Sequence, residues 1–173
     1  LLQVYLGFSK LEYGELESFP EFSCPQIQCE NINDQITHDF IESLTPDFVV
    51  NLGGGLMKPN IFEIANVCTI NVHPGITPRF RGANANFWAL YEGEFDKVGV
   101  TVHKVDKGID TGEVLCQRFL SIQLGVDSLE KVTLRAYREG LDCVCQIINH
   151  FDDSGYLIVQ PEMDIIAKTY GWY

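Results

Sequence analysis

The sequence lacks the features that mark several large classes of protein. No stretch approaches the roughly 20 consecutive apolar residues that a membrane-spanning helix needs. Residues 1–10 carry neither a basic segment nor a small-residue cleavage site, so we expect no signal peptide, no membrane association and a cytoplasmic location. The chain also lacks an initiator Met, which leaves open that it is a fragment.

Basic residues are scarce as well. Lys and Arg number 12 against 24 Asp and Glu, which gives a formal net charge of −12. A surface of that sign repels phosphate backbones, so we expect no nucleic-acid partner. Arg79 and Arg81 form the one compact basic pair in the sequence. Either a local site for a small anion or two solvated side chains fits that pattern.

Cysteine pairs at the spacing of a zinc or redox motif are absent too. Several of the six cysteines lie in apolar stretches, such as VCTI and LDCVCQII. This pattern is typical of buried, reduced thiols in a cytosolic protein rather than of a disulfide framework or a zinc site. We therefore expect no bound metal, and free thiols at Cys24, Cys29, Cys68, Cys116, Cys143 and Cys145.

The apolar pattern predicts one α/β domain. A chain of 173 residues can bury one good core, and a strand–helix–strand unit over residues 46–73 implies parallel strands. We predict a single domain, 1–173, built as a three-layer, open, mostly parallel sheet flanked by helices. Its parts are an irregular lead-in (1–30), a core (31–150) and a C-terminal tail (151–173). Predicted helices span 34–44, 59–65, 83–91 and 127–150; predicted strands span 46–52, 67–73, 98–105 and 113–119.

Two polar residues close the second predicted strand. Strand side chains alternate between faces, so Asn71 and His73 project to the same side. They lie at the carboxyl edge of a parallel strand, where open α/β sheets bind ligands. An amide donor beside an imidazole is suited to hold a carbonyl oxygen as it becomes an oxyanion. A capping Asn and a structural His remain the alternative at this point.

Asp110 favours the functional interpretation. It lies in the glycine-bounded turn GIDTG, and a carboxylate near an imidazole raises its pKa and fixes its tautomer. An ordinary turn Asp is the alternative. The triplet DTG also occurs in aspartic proteases, but those need two such triplets in an all-β setting. His103 could approach the same site from its predicted strand, although a packed or surface histidine is favoured.

Three ordered motifs resemble those of a known family. Residues 71–82, NVHPGITPRFRG, resemble the N-x-H-P-S-L-L-P-x-x-R-G loop of the folate-dependent formyltransferases. Residues 99–112 resemble their G-V-T-x-H-x-V-D-x-G-x-D-T-G segment, and Pro46-Asp47 resembles their P-D-x-x-V stretch. The likeness spans residues 31–135 and implies a Rossmann-related formyltransferase fold. The stretch 84–93 is most similar to the sugar N-formyltransferase-like and uncharacterised members.

The resemblance implies a mechanism and a cosubstrate. Asn71 would donate a hydrogen bond to the formyl oxygen of 10-formyltetrahydrofolate. His73, protonated or shuttling a proton, would stabilise the tetrahedral intermediate, and Asp110 would sustain the charged imidazole. The implied pterin site comprises Gly55, Met57, Val105, Asp106 and Gly108. The implied substrate loop beside the acceptor amine comprises Gly75, Ile76, Thr77, Pro78 and Arg81.

The sequence also departs from the family pattern. The family's S-L-L-P is replaced by residues 75–78, GITP, and residues 1–30 show no counterpart of the usual first strand, loop and helix. We expect formyl transfer to the amine of a small acceptor, with a nucleotide-linked amino sugar as the leading class. A formyltetrahydrofolate hydrolase and a truncated, non-catalytic folate-binding relative are the alternatives. A homodimer is left open.

Overall fold

The computed structural model describes residues 24–161 and 163–171, which form four α-helices and six β-strands. The predicted lead-in therefore lies largely outside the described residues, and residues 24–30 form neither helix nor strand. In chain order the elements are α1 (Gln35–Ser43), β1 (Phe48–Asn51), α2 (Pro59–Phe62), β2 (Cys68–His73), β3 (Phe80–Gly82), α3 (Ala85–Tyr91), a 3₁₀ turn (Phe95–Lys97), β4 (Gly99–Lys104), β5 (Val114–Phe119), α4 (Leu129–Ser154) and β6 (Lys168–Tyr170).

Residues of the expected types flank both ends of helix α4. The Ser128 side chain caps α4 by accepting a hydrogen bond from the backbone N–H of Lys131 at 3.4 Å. Gly155 closes the same helix at φ 75°, in the left-handed region that glycine adopts without strain. All four predicted helices are confirmed. In the described part of the chain, no helix combines the length and apolar character needed to cross a membrane.

The central sheet has four strands in the order β1-β2-β4-β5. The predicted β1–α2–β2 unit is confirmed, with β1 and β2 parallel. The β2–β4 and β4–β5 pairs are antiparallel. For β4 and β5 this follows from their connection, since residues 105–113 form a hairpin too short for a parallel crossover. The α/β fold class is confirmed, and within the described residues its sheet is mixed.

The two faces of this sheet differ in character. Helix α4 packs on the face that carries Val72 and Val100, and Gly140 of the helix lies directly against these two side chains. The buried apolar cluster under α4 is typical of a domain core: Val50, Leu52, Ile70, Val72, Val100, Val102, Leu115, Cys116, Ala136, Cys143 and Val144. The opposite face carries polar side chains, and it forms the candidate site.

One cysteine expectation is wrong. The structure joins Cys116 of β5 to Cys143 of α4 as a disulfide across the core, with Cα atoms 6.3 Å apart. The free-thiol prediction rested on apolar sequence context. It could not show that residues 27 positions apart meet where α4 crosses the sheet. Cys24, Cys29, Cys68 and Cys145 are free cysteines.

A small second sheet was not predicted from the sequence. Strands β3 and β6 pair in parallel over three residues each, too short for a recognisable alternating pattern. Tyr170 of β6 stacks on Trp88, with ring centroids 4.7 Å apart, and on Phe80 at 6.0 Å. The prediction that Trp88 and Tyr170 are packing aromatics is confirmed; Trp172 and Tyr173 lie outside the described residues.

The close contact at Gly140 leads to a stability prediction. A Cβ there would lie 2.4 Å from Cγ1 of Val72 and 2.9 Å from Cγ2 of Val100. Alanine gains about 1 kcal/mol of helix propensity over glycine, but overpacking a core costs typically about 1–3 kcal/mol. We expect Gly140→Ala to lower the free energy of unfolding by about 1–2 kcal/mol, measured by urea denaturation. Exposed Arg138→Ala on the same helix is the control. A stabilised Gly140→Ala variant would contradict this packing.

Candidate active site

A row of polar side chains crosses the sheet on the face away from α4. Asn51 of β1 pairs in register with Asn71 of β2, and Asn71 pairs with His103 of β4. His73 pairs in register with Thr101 in the same way. Because residues directly opposite each other on neighbouring strands share a face, the sheet itself brings these five side chains together.

The loop between β4 and β5 adds a carboxylate to this row. Asp110 adopts φ 50°, a left-handed conformation that Asp tolerates better than most residues. Gly112, two residues later, lies so close to the chain that an added Cβ would meet the carbonyl oxygen of Lys104 at 1.8 Å. The glycine is therefore required for the turn that returns Asp110 over the end of β2.

The three residues singled out from the sequence converge. Nδ2 of Asn71 donates to Oδ1 of Asp110 at 3.2 Å, and Nδ1 of His73 lies 3.3 Å from Oδ2 of the same carboxylate. We refer to Asn71, His73 and Asp110 as the Asn–His–Asp cluster. Of the two ionisable members, Asp110 is the more exposed: its side chain is 13% exposed, against 5% for His73.

His73 has acceptors at both ring nitrogens. Nε2 lies 3.0 Å from the carbonyl oxygen of Phe80, which can only accept, so Nε2 carries a proton. Nδ1 faces the Asp110 carboxylate. Burial lowers the pKa of His73, and the charge of Asp110 opposes this shift without cancelling it. The imidazole is therefore neutral at pH 7, with an unprotonated Nδ1 that the carboxylate makes ready to accept a proton.

Asp110 is held as a carboxylate by its neighbours. Burial acts to raise its pKa, but hydrogen bonding by His103, the charge of His73 and the backbone N–H of Gly82 lower it to about 2. The Gly82 N–H donates to Oδ2 at 2.7 Å. A charged carboxylate that accepts backbone donors is stable in a partly buried site. Asp110 therefore stays ionised throughout the neutral range.

His103 is the residue that the sequence underestimated. Its Nε2 lies 3.2 Å from Nδ2 of Asn71 and 3.3 Å from Oδ1 of Asp110. Its Nδ1 donates to the carbonyl oxygen of Lys104 at 2.7 Å. The register between β4 and β5 shifts at this point, as in a β-bulge. The regular β2–β4 register sets His103 opposite Asn71, and no local pattern contains a pairing between residues 32 positions apart.

The substrate loop predicted over residues 75–82 is mostly buried. Ile76 is fully inaccessible and Thr77 is 3% exposed. The Thr101 hydroxyl donates to the carbonyl oxygen of Gly75 at 2.8 Å and accepts from the N–H of Thr77 at 3.1 Å. Gln117 donates to the carbonyl oxygen of Thr77 at 2.7 Å. These contacts hold the first half of the loop rigidly under the cluster.

The far end of this loop reaches the cluster directly. It contributes the Phe80 carbonyl to His73 and the Gly82 N–H to Asp110. Arg81 lies near enough for its positive charge to act against protonation of His73. Among the predicted substrate-loop residues, only Arg81 is partly exposed, whereas Gly75, Ile76, Thr77 and Pro78 are buried.

The residues predicted to bind the pterin lie in two loops that flank the cluster. Gly55 is exposed, and its carbonyl oxygen accepts from Nδ2 of Asn51, which also contacts Asn71. Met57 is half-buried in the same turn. In the other loop, the Asp106 carboxylate accepts from the Gly108 N–H at 2.9 Å. Val105 holds that loop to β2 through a 2.8 Å backbone hydrogen bond to Thr69.

The basic pair separates in the structure. Nε of Arg79 donates to Glu94 at 2.8 Å, and its guanidinium also lies 3.9 Å from Glu92. These two carboxylates neutralise Arg79, so it does not form an anion site together with Arg81. The sequence could not show this, because both partners come from the far end of α3.

A separate surface cleft of about 440 Å³ lies beside α1 and α2. His38, Asp39 and Glu42 present ligand-type atoms within 4.8 Å of one another at its edge. Oδ1 of Asp39 already accepts from Nε2 of Gln35 at 2.7 Å. No residue of the Asn–His–Asp cluster lines this cleft, so the two features are distinct.

The geometry of the cluster suits chemistry at a carbonyl group. A carboxamide N–H₂ can stabilise an oxyanion, and a neutral imidazole backed by an ionised carboxylate can take up a proton. The fold around it is an α/β domain that carries its polar residues at the carboxyl edge of β2. Fold and site together define an α/β domain whose polar cluster is suited to act on a carbonyl group.

The chain belongs to the formyl transferase family. The family model described as formyl transferase matches residues 10–148, which is most of the chain. Among curated relatives, the methionyl-tRNA formyltransferase of Anaeromyxobacter sp. (strain K) is 39% identical over 100 residues. That match covers 57% of this chain and 32% of the relative. The chain thus spans about a third of the length of the first relatives that it matches.

Solved structures of the family share the fold. The formyltransferase PseJ from Anoxybacillus kamchatkensis, in complex with UDP-4,6-dideoxy-4-formamido-L-AltNAc and tetrahydrofolate, is 26% identical with a TM-score of 0.60. That match covers 72% of this chain and 64% of PseJ. Glycinamide ribonucleotide transformylase 1 from Symbiobacterium toebii is 25% identical with a TM-score of 0.63, covering 72% and 58% of the two chains.

Proposed function

We propose that this protein transfers the formyl group of 10-formyltetrahydrofolate to the amine of a small acceptor, with a nucleotide-linked amino sugar as the acceptor class. The observation that carries the proposal is the convergence of Asn71, His73 and Asp110 within hydrogen-bond distance at the carboxyl edge of the sheet. Family membership supports the reaction type. The proposed catalytic domain comprises residues 1–173, with its core in 31–150.

Each member of the cluster has a defined task in this proposal. The acceptor amine attacks the formyl carbon, and Nδ2 of Asn71 donates to the oxygen as it becomes an oxyanion. His73 is neutral beforehand, because burial lowers its pKa. It takes up the amine's proton at Nδ1, and Asp110 stabilises the imidazolium. The more exposed Asp110 carboxylate offers that proton a path to the buried ring.

Collapse of the intermediate completes the transfer. The oxyanion re-forms the carbonyl, the bond from the formyl carbon to N10 of the folate breaks, and N10 takes the proton back from His73. Asp110 is ionised before and after each proton passes, since its pKa is about 2. His103 supports the cluster by contacting both Asn71 and Asp110.

The flanking loops suit the two substrates. We assign the pterin to the exposed turn around Gly55 and Met57 and to the 105–108 loop, which border the cluster on either side. The acceptor would approach beside Arg81, at the exposed end of the 75–82 loop. The buried residues Gly75, Ile76, Thr77 and Pro78 would shape this end from below rather than contact the acceptor.

Binding of the folate is the first test. Tetrahydrofolate at 100 times its Kd is expected to raise the free energy of unfolding by about 2.7 kcal/mol, which is visible as a higher Tm in a thermal-shift assay. Isothermal titration calorimetry measures the Kd itself. A folded protein that shows neither a shift nor heat of binding would contradict the proposal and favour the non-catalytic alternative.

The acceptor is tested by product analysis. The protein is incubated with 10-formyltetrahydrofolate and either a nucleotide-linked amino sugar or methionyl-tRNA, and mass spectrometry identifies the formylated product. The sugar is expected to react, because a net charge of −12 opposes approach of tRNA. Methionyl-tRNA is the second candidate acceptor, because curated relatives of this chain are methionyl-tRNA formyltransferases. Release of formate without any acceptor would instead identify a hydrolase.

A further inference from the structure

Asn51 occupies a central place in the polar row of the sheet. It is the last residue of β1, it is 8% exposed, and it lies directly beside Asn71 in the parallel β1–β2 register. It lies between the glycine-rich turn 53–55 and the Asn–His–Asp cluster. A polar side chain so deeply buried is expected to be fully hydrogen-bonded.

The Asn51 carboxamide bonds to the cluster on one side and to the turn on the other. Its Nδ2 donates to Oδ1 of Asn71 at 2.9 Å and to the carbonyl oxygen of Gly55 at 3.3 Å. Its Oδ1 accepts from the backbone N–H of Gly54 at 3.2 Å. The space is tight, since a Cβ on Gly54 would lie 2.5 Å from that oxygen.

These contacts determine which way the Asn71 carboxamide faces. Asn71 receives a donor at Oδ1 from Asn51 and presents Nδ2 to the Asp110 carboxylate on the opposite side. Rotating the Asn71 amide by 180° would set donor against donor at Asn51 and acceptor against acceptor at Asp110. Asn51 and Asp110 thus hold the amide plane from its two ends.

We propose that Asn51 is a positioning residue: it locks the Asn71 carboxamide with its N–H₂ toward the reacting carbonyl and ties it to the glycine-rich turn. This inference rests on the proposed formyl transfer. A hydrogen-bond donor stabilises an oxyanion only if it is already oriented. Orientation by Asn51 therefore raises kcat, and its second contact, to the Gly55 carbonyl, keeps the turn in register with the amide.

Two substitutions of similar size separate orientation from packing. In Asn51→Asp, a carboxylate replaces the donor that faces Oδ1 of Asn71, so the amide is drawn to rotate. Asn51→Leu removes the donor without adding an acceptor. We expect kcat to fall about 10- to 100-fold in Asn51→Asp and about 5- to 10-fold in Asn51→Leu, as for loss of one net hydrogen bond or slightly more. Circular dichroism and urea denaturation verify that each variant folds.

A double-mutant cycle with Asn71→Ala provides the test. If Asn51 acts through the Asn71 amide, its substitution costs little further kcat once that amide is gone. A merely structural role predicts the same fold-loss in both backgrounds, and that result would overturn the proposal, as would a kcat of Asn51→Asp within twofold of wild type. If Asn51→Asp does not fold, Asn51→Leu is used in the double-mutant cycle instead.

A second measurement does not depend on activity. In ¹⁵N-resolved NMR spectra, Asn51→Leu is expected to shift the side-chain amide signals of Asn71 and leave those of Asn86 unchanged. Asn86 is a buried control, bonded to the backbone of Gly99 through both ends of its carboxamide. Unshifted Asn71 signals would refute the positioning role. If the wild-type protein forms no formylated product, the proposed function fails, and this measurement still decides the role of Asn51.

Discussion

Asp110→Asn is expected to lower kcat by roughly 10²- to 10⁴-fold while leaving the fold intact. The asparagine has the same shape and can still accept from the N–H of Gly82. It carries no charge, so it cannot stabilise an imidazolium at His73, and its N–H₂ would favour the neutral ring. Steady-state kinetics of formyl transfer measure the loss. The expected Kd for tetrahydrofolate is unchanged, because Asp110 is not among the residues proposed to contact the pterin.

The same substitution has a second signature in the titration of His73. Burial already lowers the pKa of this imidazole, and the charge of Asp110 acts in the opposite direction. Removing that charge should therefore lower the pKa further, as followed by NMR of the imidazole. The matched control is Asp153→Asn, an exposed position near the end of α4. A kcat for Asp110→Asn within a few-fold of wild type would refute the role of the carboxylate.

Asn71→Ala is expected to reduce kcat by roughly 100- to 1000-fold, the usual loss for one oxyanion donor. The amide stabilises charge that exists only in the transition state, so kcat should fall while KM for the formyl donor stays nearly constant. The comparison variant is Asn60→Ala, an exposed asparagine in α2. A KM raised by a similar factor, with kcat unchanged, would show that Asn71 only binds the substrate.

The stability of Asn71→Ala needs its own measurement. The amide accepts from Asn51, donates to Asp110 and contacts Nε2 of His103, so its removal leaves several polar groups without this partner. Each buried group left unsatisfied costs about 1–3 kcal/mol. Urea denaturation of the variant establishes that a loss of turnover does not arise from unfolding. Asn71→Ala should remain folded, because the neighbouring groups can still bond to one another.

Much of the fold was predictable because its signals are local. The apolar spacing in α4 and the strand–helix–strand pattern around β1 and β2 depend on residues close together in the chain. Asn71 and His73 were predictable for the same reason: strand alternation places them on one face. Asp110 could be paired with them because the ordered motifs resemble a family that shares all three.

Other features depend on contacts between distant residues, which no local pattern contains. The β2–β4 register placed His103, a histidine expected to be packing, beside Asn71 and Asp110. The β1–β2 register put Asn51 against Asn71, and α4 brought Cys143 to Cys116. Glu94, which follows α3, pairs with Arg79 and so excludes Arg79 as part of an anion site.

The sequence alone singled out the three proposed catalytic residues, Asn71 and His73 through strand alternation and Asp110 through motifs that resemble those of the family. Only the tertiary structure decided how they are oriented and protonated. Burial sets the pKa of His73, and the polar row that faces away from α4 sets the direction of the Asn71 amide. Both depend on distances that exist only after the strands have paired.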